Sequence, residues 1–413
     1  MKRIKRALVI GGSLGGLFAA SLLRGIGWTV TVFERSTGAL ASRGAGLGTT
    51  RELVETMRRA GARFDVSIAV PMTGYVWLDA DGRVVHAQER LNASSTWSRV
   101  YQPLREAVPD SDYRAGMTLE RVEQKGERVA AHFADGTRAE GDLLIAADGN
   151  FSTVRRQFMP DVGPRYAGYV AWRGIMEERD VPAAIRSAHF DKIAFSFPAG
   201  EMSLAMPVPG HDDDTRPGHR RYYFIWYRPT TPEALRDLCT DANGLHHGIS
   251  IPPPLIRPEV IRAVKDDAAE RFAPDLAEVI ARTELPLLQA ISDFESPKLA
   301  LGRVVLLGDA AFVARPHVAA GVSKAALDAA TLADALAGEA DVDAALARYE
   351  RERLDFGRRI VAHSRRLGTL LDGREVPPAQ WTGDDAYRDP RRVLRDYGAP
   401  HLVHDLTAQD LVA

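Results

Sequence analysis

The chain has 413 residues, of which 45% are hydrophobic and 26% charged, and 53 Lys and Arg against 55 Asp and Glu give a formal net charge of −2. This composition is typical of a soluble globular protein of two or three domains and argues against extended disorder. The near-neutral charge predicts no binding to nucleic acid or to an anionic membrane surface. The only cysteine, Cys239, excludes an internal disulfide and a CxxC zinc site. We therefore predict a cytoplasmic protein with no metal site and no membrane-spanning helix.

The first 34 residues predict a strand, a glycine-rich turn, a helix and a second strand. Residues 7–10 are all apolar, as in a parallel strand that is covered on both faces. A helix is expected over about 15–25, and the next strand over residues 29–33, with Glu34 at its end. The turn consists of Gly11, Gly12, Ser13, Leu14, Gly15 and Gly16. In dinucleotide sites such a turn brings backbone N–H groups and a helix N-terminus to a pyrophosphate, while the acid binds ribose hydroxyls. Ser13 replaces the middle glycine of the usual GxGxxG pattern.

Two later segments have the same buried-strand pattern, at residues 143–147 and 304–307. Asp148-Gly149 follows the first segment, with Arg155 seven residues after the aspartate, and Asp309 follows the second. These segments predict that one nucleotide-binding sheet is assembled from parts far apart in the sequence.

The middle of the chain predicts a second, mainly antiparallel sheet. Asp135-Gly136 is a hairpin signal, and several strands with period-two patterning follow between residues 166 and 227. Alternation in the last of these strands places Arg221 and Tyr223 on one face, while Trp172 and Trp226 are expected in the core.

The chain becomes helical after Gly321. Residues 325–337 and 342–371 carry apolar residues at helical spacing, and His363 within the second segment is predicted at the surface. The tail after Asp372 is either an extended covering segment or a flexible end.

Three motifs follow one another along the chain: the glycine turn, Asp148-Gly149 with Arg155, and Asp309 with the downstream Pro316 and Gly321. In this order they resemble the motifs of the class A flavin-dependent aromatic hydroxylases, the family of p-hydroxybenzoate hydroxylase. The resemblance extends over residues 4–370. Within the family, the chain is similar to the 2,6-dihydroxypyridine 3-hydroxylase branch. The residues that carry this second similarity are 11–13, 166–170, 172–174, 224–227, 315–317 and 319–321.

The resemblance implies a fold of the α/β plus β class. A Rossmann-like FAD-binding domain would contain an inserted antiparallel β-sheet domain for the substrate, followed by C-terminal helices. The implied boundaries are 1–70, 95–165 and 298–337 for the FAD-binding domain, 71–94 and 166–297 for the substrate domain, and 338–413 for the C-terminal helix and tail.

The resemblance also implies FAD as the cofactor and NADPH or NADH as a transient co-substrate. Asp309 would bind the ribityl chain, and the helix opening after Pro316 would face the flavin N1–C2=O edge, where a helix N-terminus stabilises the charge of reduced flavin. The implied cofactor contacts are Gly11, Gly12, Ser13, Leu14, Gly15, Gly16, Glu34, Arg35, Arg43, Asp148, Gly149, Asp309, Pro316, Ala320, Gly321 and Val322. Phe312 replaces the histidine of the family's GDAAH motif, and Tyr101 stands where many relatives have an arginine, so contacts at 99–105 are left open.

The implied reaction hydroxylates an electron-rich hydroxylated aromatic or N-heteroaromatic ring, with O2 activated at the flavin C4a carbon. Arg221 would reach the flavin. Tyr223 would contact the substrate, with ordinary sheet packing as the alternative. His317 would polarise or deprotonate the substrate hydroxyl, with a structural role as the alternative. Phe195 and Pro316 would complete the pocket, and either Arg173 or Arg221 could bind a carboxylate of the substrate. Two alternatives stay open: a non-oxygenating reductase of the same fold that acts on an isoprenoid, and a flavin-binding interaction protein without enzymatic activity. The expected partners are a small aromatic molecule, O2 and NAD(P)H, in a monomer or homodimer.

Overall fold

The computed structural model describes residues 5–38, 46–63 and 69–407. The strands are β1 (Arg6–Ile10), β2 (Thr29–Glu34), β3 (Gly46–Gly48), β4 (Val70–Leu78), β5 (Val84–Thr96), β6 (Tyr113–Ala115), β7 (Leu119–Lys125), β8 (Arg128–Phe133), β9 (Arg138–Gly141), β10 (Leu143–Ala146), β11 (Arg165–Glu177), β12 (Lys192–Ser196), β13 (Met202–Val208), β14 (Arg221–Pro229), β15 (Leu287–Glu295), β16 (Ala300–Leu301), β17 (Val304–Leu306) and β18 (Phe312–Val313). The α-helices are α1 (Leu14–Gly25), α2 (Arg51–Arg59), α3 (Trp97–Ala107), α4 (Thr153–Phe158), α5 (Ala183–Ala188), α6 (Pro232–Leu238), α7 (Pro258–Arg271), α8 (Pro274–Arg282), α9 (Gly321–Gly338), α10 (Val342–Leu367) and α11 (Pro390–Asp396).

The first sheet joins segments from three distant parts of the chain, as predicted. Its strand order is β16-β17-β10-β1-β2-β6, and all neighbours except β16 and β17 pair in parallel. Ile10 pairs with Ala146, which in turn pairs with Leu306. Because the last residues of β1, β10 and β17 lie at one level, the loops that follow these strands meet at the same edge of the sheet.

The second sheet has nine strands in the order β18-β15-β11-β14-β13-β12-β4-β5-β3. One face packs on α7 and α8 through a core that contains Trp172 and Trp226, so the prediction that these tryptophans are core residues is confirmed. The other face, which includes Tyr223 and Phe195, belongs to the same core cluster as the first sheet. We call this the inner face. The smaller sheet β7-β8-β9 contains the predicted hairpin, with Gly136 at φ +81° in the turn.

The C-terminal tail is a covering segment. After α10 it forms the short helix α11, in which Val393 and Leu394 are fully buried. The prediction of a surface position for His363 is wrong, because the end of α11 covers this residue and the Asp396 carbonyl lies 2.9 Å from its Nε2. Within the described residues, no helix combines the length and the apolar composition needed to cross a bilayer.

Candidate active site

The turn between β1 and α1 requires glycine at two positions. Gly11 has φ +104°, and a Cβ there would lie 2.3 Å from the Ala147 carbonyl oxygen. A Cβ on Gly16 would lie 1.9 Å from the carbonyl oxygen of Gly11. The glycines therefore let the turn, the first helical turn and the loop after β10 lie in direct backbone contact.

The N-terminus of α1 is open to an anion. Ser13 occupies the N-cap position in an extended conformation, and its side chain makes no capping hydrogen bond within the described structure. The first N–H groups of a helix have no intrahelical acceptor and carry partial positive charge. This arrangement provides donors for a pyrophosphate, as the sequence predicts.

Glu34 is fixed beside this turn at the end of β2. Its Oε2 accepts a hydrogen bond from Gly12 N at 2.7 Å, and its Oε1 accepts one from Ser36 N at 2.9 Å. Tyr113 packs against the same turn, where a Cβ on Gly12 would come 2.3 Å from the phenolic oxygen. The carboxylate is thus held at the position that a ribose-binding acid occupies in a dinucleotide fold.

Asp148 lies in the loop after β10. Its Oδ2 accepts hydrogen bonds from Thr153 N at 2.8 Å and Val154 N at 3.2 Å, at the start of α4. Burial raises the pKa of the Asp148 carboxyl group, although these hydrogen bonds act to lower it. Its Oδ1 is buried without a partner among the described residues. An orphaned buried oxygen of this kind indicates a polar group that is bound in the working protein.

Arg155 connects the loops after β10 and β17. Its guanidinium donates to the carbonyl oxygens of Asn150 at 2.5 Å and Ala310 at 3.0 Å, and it lies 4.2 Å from the centroid of the Phe294 ring. The residue is 1% exposed. It therefore holds the two loops and the second sheet in one arrangement, which agrees with the supporting role that the resemblance implies.

Asp309 follows β17 in a turn that a buried ion cluster stabilises. Asp328 accepts hydrogen bonds from Gly308 N at 3.0 Å, from Lys324 Nζ at 3.4 Å and from Arg353 Nε at 2.7 Å. The Asp309 carboxyl group faces open space, yet protein surrounds it closely enough for desolvation to raise its pKa, while Lys324 acts in the opposite direction. The turn thus presents an acid to the same edge of the sheet as Asp148.

One recess of about 340 Å³ is lined by the turn after β1, by Glu34 and by the loop after β10. The predicted residues that line it are Gly11, Ser13, Glu34, Arg35, Asp148 and Gly149, together with the unpredicted Trp97, Met117 and Phe151. Arg43 falls outside the described residues. An uncapped helix N-terminus, a ribose-level acid and an orphaned carboxylate oxygen fit the phosphates and sugar of FAD.

A second uncapped helix begins beside this recess. Pro316 opens a single 3-10 turn, Ala319 adopts the left-handed conformation at φ +47°, and Ala320 forms the N-cap of α9 without a side-chain hydrogen bond in the described structure. The backbone N–H groups at Gly321 and Val322 are therefore available at the helix N-terminus. They fit the flavin-edge role that the resemblance implies.

The inner face carries a cluster of aromatic side chains, and we call the region beside it, where the resemblance places the substrate, the chamber. Phe195 on β12 and Tyr223 on β14 are both buried, and Tyr75 on β4 packs 5.6 Å from the Phe195 ring. Arg173 on β11 donates a hydrogen bond to the Tyr223 hydroxyl, and its Nε is buried without an acceptor. No carboxylate in the described ranges lies within ion-pair distance of this guanidinium. Arg173 and Tyr223 therefore form a cationic site suited to an anion, and we call these two residues the Arg173–Tyr223 pair.

His317 lies between two tyrosines and is fully buried. Its Nε2 is 2.7 Å from the Tyr169 hydroxyl, and its ring centroid is 4.5 Å from that of Tyr227. Burial, with smaller contributions from Arg315 and Arg173, lowers the pKa of His317 to about 3. The ring is therefore neutral at physiological pH.

Arg221 is on the same face of β14 as Tyr223, as the alternation predicts. Its guanidinium, however, donates to the carbonyl oxygens of Pro209 at 3.2 Å and Gly210 at 3.3 Å. The structure thus brings Tyr223, Phe195 and His317 into the chamber region, while Arg221 is held at the end of the strand by backbone acceptors.

Comparison with known proteins decides the family. A family model described as FAD binding domain-like matches residues 166–293. The 2,6-dihydroxypyridine 3-monooxygenase of Paenarthrobacter nicotinovorans is 31% identical over 368 residues, which are 89% of this chain and 91% of that protein. The chain belongs to the flavin-dependent aromatic hydroxylases.

Other relatives agree with this assignment. The structure of 2,6-dihydroxypyridine-3-hydroxylase from Arthrobacter nicotinovorans has a TM-score of 0.84 to this hydroxylase, with 30% identity over 92% of this chain and 97% of that one. The 6-hydroxynicotinate 3-monooxygenase of Pseudomonas fluorescens is 27% identical, covering 94% of this chain and 97% of that protein. The predicted family, fold and FAD cofactor are confirmed. This hydroxylase is an FAD-dependent monooxygenase that uses NAD(P)H and O2. The activities named for its relatives favour aromatic hydroxylation over isoprenoid reduction.

Sequence reasoning missed several residues of the site in this hydroxylase. Tyr227 contributes a buried hydroxyl without a partner in the described structure, and Asp328 supports the turn at Asp309. Lys324 and Asp328 did leave a signal, because two charged residues four apart in an alanine-rich helix are unusual at buried positions. Tyr227 left none, because an aromatic residue in a strand is most often ordinary packing.

Proposed function

We propose that this hydroxylase acts on a small ring that carries at least one acidic hydroxyl, either an N-heteroaromatic of the hydroxypyridine kind or a phenol. The observation that carries this proposal is the Arg173–Tyr223 pair, a half-buried guanidinium whose buried Nε–H group has no acceptor in the described structure, beside an aromatic cluster. Ionised ring hydroxyls suit such a site because a charge-assisted hydrogen bond is strong where water is excluded. The substrates named for two relatives, 2,6-dihydroxypyridine and 6-hydroxynicotinate, have this chemistry.

The side chains of the chamber would bind and orient the ring. Because Tyr223 accepts a hydrogen bond from Arg173, its own hydroxyl proton is free to be donated to a substrate oxygen. Arg173 would favour the ionised form of that oxygen, which makes the ring more electron-rich. Phe195 and Tyr75 would hold the ring plane and exclude water, so that the ring is positioned before the reaction.

When bound, FAD supplies the redox chemistry, taking hydride from NADH or NADPH and activating O2 for transfer to the ring. His317 is neutral and hydrogen-bonded to Tyr169, so it would keep the turn before α9 in place. Its ring would contact the chamber only indirectly, by packing against Tyr227. Flavin contact by Arg221 stays a prediction, as do the domain boundaries. We further propose a cytoplasmic monomer or homodimer, which agrees with a single buried cysteine.

The proposal is tested by anaerobic reduction of the FAD-loaded protein with NADH and NADPH, with and without a panel that includes 2,6-dihydroxypyridine, 6-hydroxynicotinate and simple phenols. At least one ring compound should accelerate flavin bleaching by about tenfold or more and should be converted to a hydroxylated product with matching O2 uptake. If no member of the panel stimulates reduction or coupled O2 uptake, the proposed substrate class is wrong.

Arg173→Met is the matched variant for the substrate site. It should raise KM for an ionisable ring by about tenfold or more, because the anion loses its charged partner. Arg165→Met, at the exposed start of the same strand, is the control and should leave KM unchanged.

A further inference from the structure

The chain after α11 is described as far as residue 407, and it lies against both the second sheet and the elements around the cofactor recess. Tyr397 follows the helix, and Gly398 and Ala399 then turn the chain with φ values of +79° and +52°. Ala399 is fully buried, although this conformation is unfavourable for alanine. The chain continues to Asp405, which forms a β-bridge with Thr50. We call residues 397–406 the strap.

The strap is tied to the second sheet by Arg90 on β5. The Arg90 guanidinium donates to the two carboxylate oxygens of Asp405 at 2.5 and 3.0 Å, and a third hydrogen bond of 2.7 Å reaches the Tyr397 carbonyl oxygen. The Arg90 side chain is 9% exposed. A bidentate pair with so little exposure fixes geometry, which an exposed surface pair does not.

The strap is also tied to the elements around the cofactor recess. His404 Nδ1 lies 2.5 Å from Glu52 Oε1 at the start of α2, and Arg51 N donates to the His404 carbonyl oxygen at 3.0 Å. Gly398 N donates to the His317 carbonyl oxygen at 3.3 Å, in the turn that precedes α9. One segment therefore bridges both sides of the chamber.

The Tyr397 side chain is 5% exposed and packs against the aromatic cluster of the inner face. Its ring packs edge-on against Phe195, with centroids 5.0 Å apart, and against Tyr75 at 6.0 Å. Burial raises the pKa of the Tyr397 phenol well above its ordinary value, while Arg173 acts in the opposite direction. Tyr397 is thus part of the same aromatic wall as the residues that would hold the substrate, although it comes from the end of the chain.

We propose that Tyr397 is a specificity-determining residue that contacts the substrate and restricts the chamber to single rings. This inference rests on the proposed function, because it assumes that the ring binds beside the Arg173–Tyr223 pair. A tyrosine ring already fills the space between Phe195 and the strap, so a second fused ring would collide with it. Replacement of this ring by a small side chain leaves a cavity of about aromatic size, which an extra ring can fill.

The experiment compares the FAD-loaded wild type with Tyr397→Ala, Tyr397→Leu and Tyr397→Phe. Dissociation constants for 3-hydroxypyridine and 3-hydroxyquinoline, which both carry an ionisable ring hydroxyl and differ by one fused ring, are measured from the change in the flavin absorption spectrum. The ratio of the quinoline constant to the pyridine constant should fall by about tenfold in Tyr397→Ala and Tyr397→Leu and stay within about twofold in Tyr397→Phe. Tyr397→Leu decides the matter if Tyr397→Ala does not fold.

Tyr387→Ala is the matched control, because Tyr387 is a buried tyrosine of the same tail whose hydroxyl donates to Asp396 away from the chamber. A ratio that falls by less than about fivefold in the folded variants, or that falls equally in Tyr387→Ala, contradicts the inference. If the wild type binds and hydroxylates rings but the ratio is the same in the Tyr397 variants, only the role of Tyr397 is wrong. A wild type that binds neither ligand and hydroxylates no ring of the panel removes the proposed function itself.

Discussion

The carboxylate of Glu34 is held by the N–H groups of Gly12 and Ser36, so it is oriented before any ligand arrives. Glu34→Ala should raise the dissociation constant for FAD by about tenfold or more, equivalent to about 1.4 kcal/mol, because the ribose hydroxyls lose their acceptor. Fluorescence titration of the FAD-free protein measures this constant. Glu127→Ala, at an 88% exposed side chain, is the control. Equal affinity in wild type and Glu34→Ala would remove the assigned contact.

The burial of His317 makes the stability of the protein sensitive to acid. Since burial lowers the pKa of His317 from about 6.5 in the unfolded chain to about 3, the unfolded chain takes up the proton first. Its stabilising contribution is complete above pH 6.5 and is lost as the pH falls towards 3. Between pH 7.5 and 5.5, wild type should therefore lose about 1.4 kcal/mol more unfolding free energy than His317→Gln does.

Urea denaturation at the two pH values measures this difference. His363 and His189 also have lowered pKa values because they are buried, so the comparison with the variant isolates His317. Tyr169→Phe retains the titrating ring and should keep the wild-type pH dependence. Identical pH dependence in wild type and His317→Gln would contradict a neutral buried imidazole.

Some residues of the site could be predicted because they are fixed by local chain geometry. Glu34 and Asp148 directly follow buried parallel strands, and the carboxyl ends of such strands face a common edge. Arg173 could be named from the sequence only as one of two candidate arginines, and Tyr397 could not be assigned at all. Their positions depend on the pairing of β11 with β14 and on the path of the strap, neither of which any local pattern encodes.

Two of the three glycines of helix α1, Gly16 and Gly25, have opposite environments. A Cβ on Gly16 would approach the Gly11 carbonyl oxygen to 1.9 Å, whereas a Cβ on Gly25 would have no neighbour within 4 Å. Gly16→Ala should lower the unfolding free energy by about 3 kcal/mol or more and weaken FAD binding, because the backbone contact must open. Gly25→Ala should be neutral or stabilising by up to about 1 kcal/mol, as expected for helix propensity. Chemical denaturation of both variants checks the contrast, and equal effects would contradict it.

Elements with strong periodicity were predictable, while those formed by tertiary packing were not. Strand β10, which is apolar throughout, and helix α9, which is rich in alanine, lie where the sequence predicts them. The helix α11 was not predicted, because its seven residues contain Pro390 and only two buried apolar side chains. It is stable because it packs on α10, where it also covers His363.

The two large sheets are parts of one structural unit, and Arg155 is a direct link between them. Its guanidinium contacts the loop after β10, the loop after β17 and Phe294 on β15 of the second sheet. A ligand bound between these loops stabilises the arrangement that Arg155 also stabilises. FAD binding and the packing of the two sheets should therefore be energetically coupled.

Arg155→Met removes the donor of the buried Ala310 carbonyl group and of the half-buried Asn150 carbonyl group, and it retains a flexible apolar side chain. The unfolding free energy should fall by about 2–4 kcal/mol, and the increase in Tm on adding excess FAD should be smaller than in wild type, because the loops no longer hold a common geometry. Thermal melts with and without FAD measure both quantities. Arg156→Met changes the exposed neighbour and should leave both unchanged. If FAD raises the Tm of Arg155→Met and wild type equally, the two loops position FAD independently of Arg155, and the recess and the chamber are not coupled through this residue.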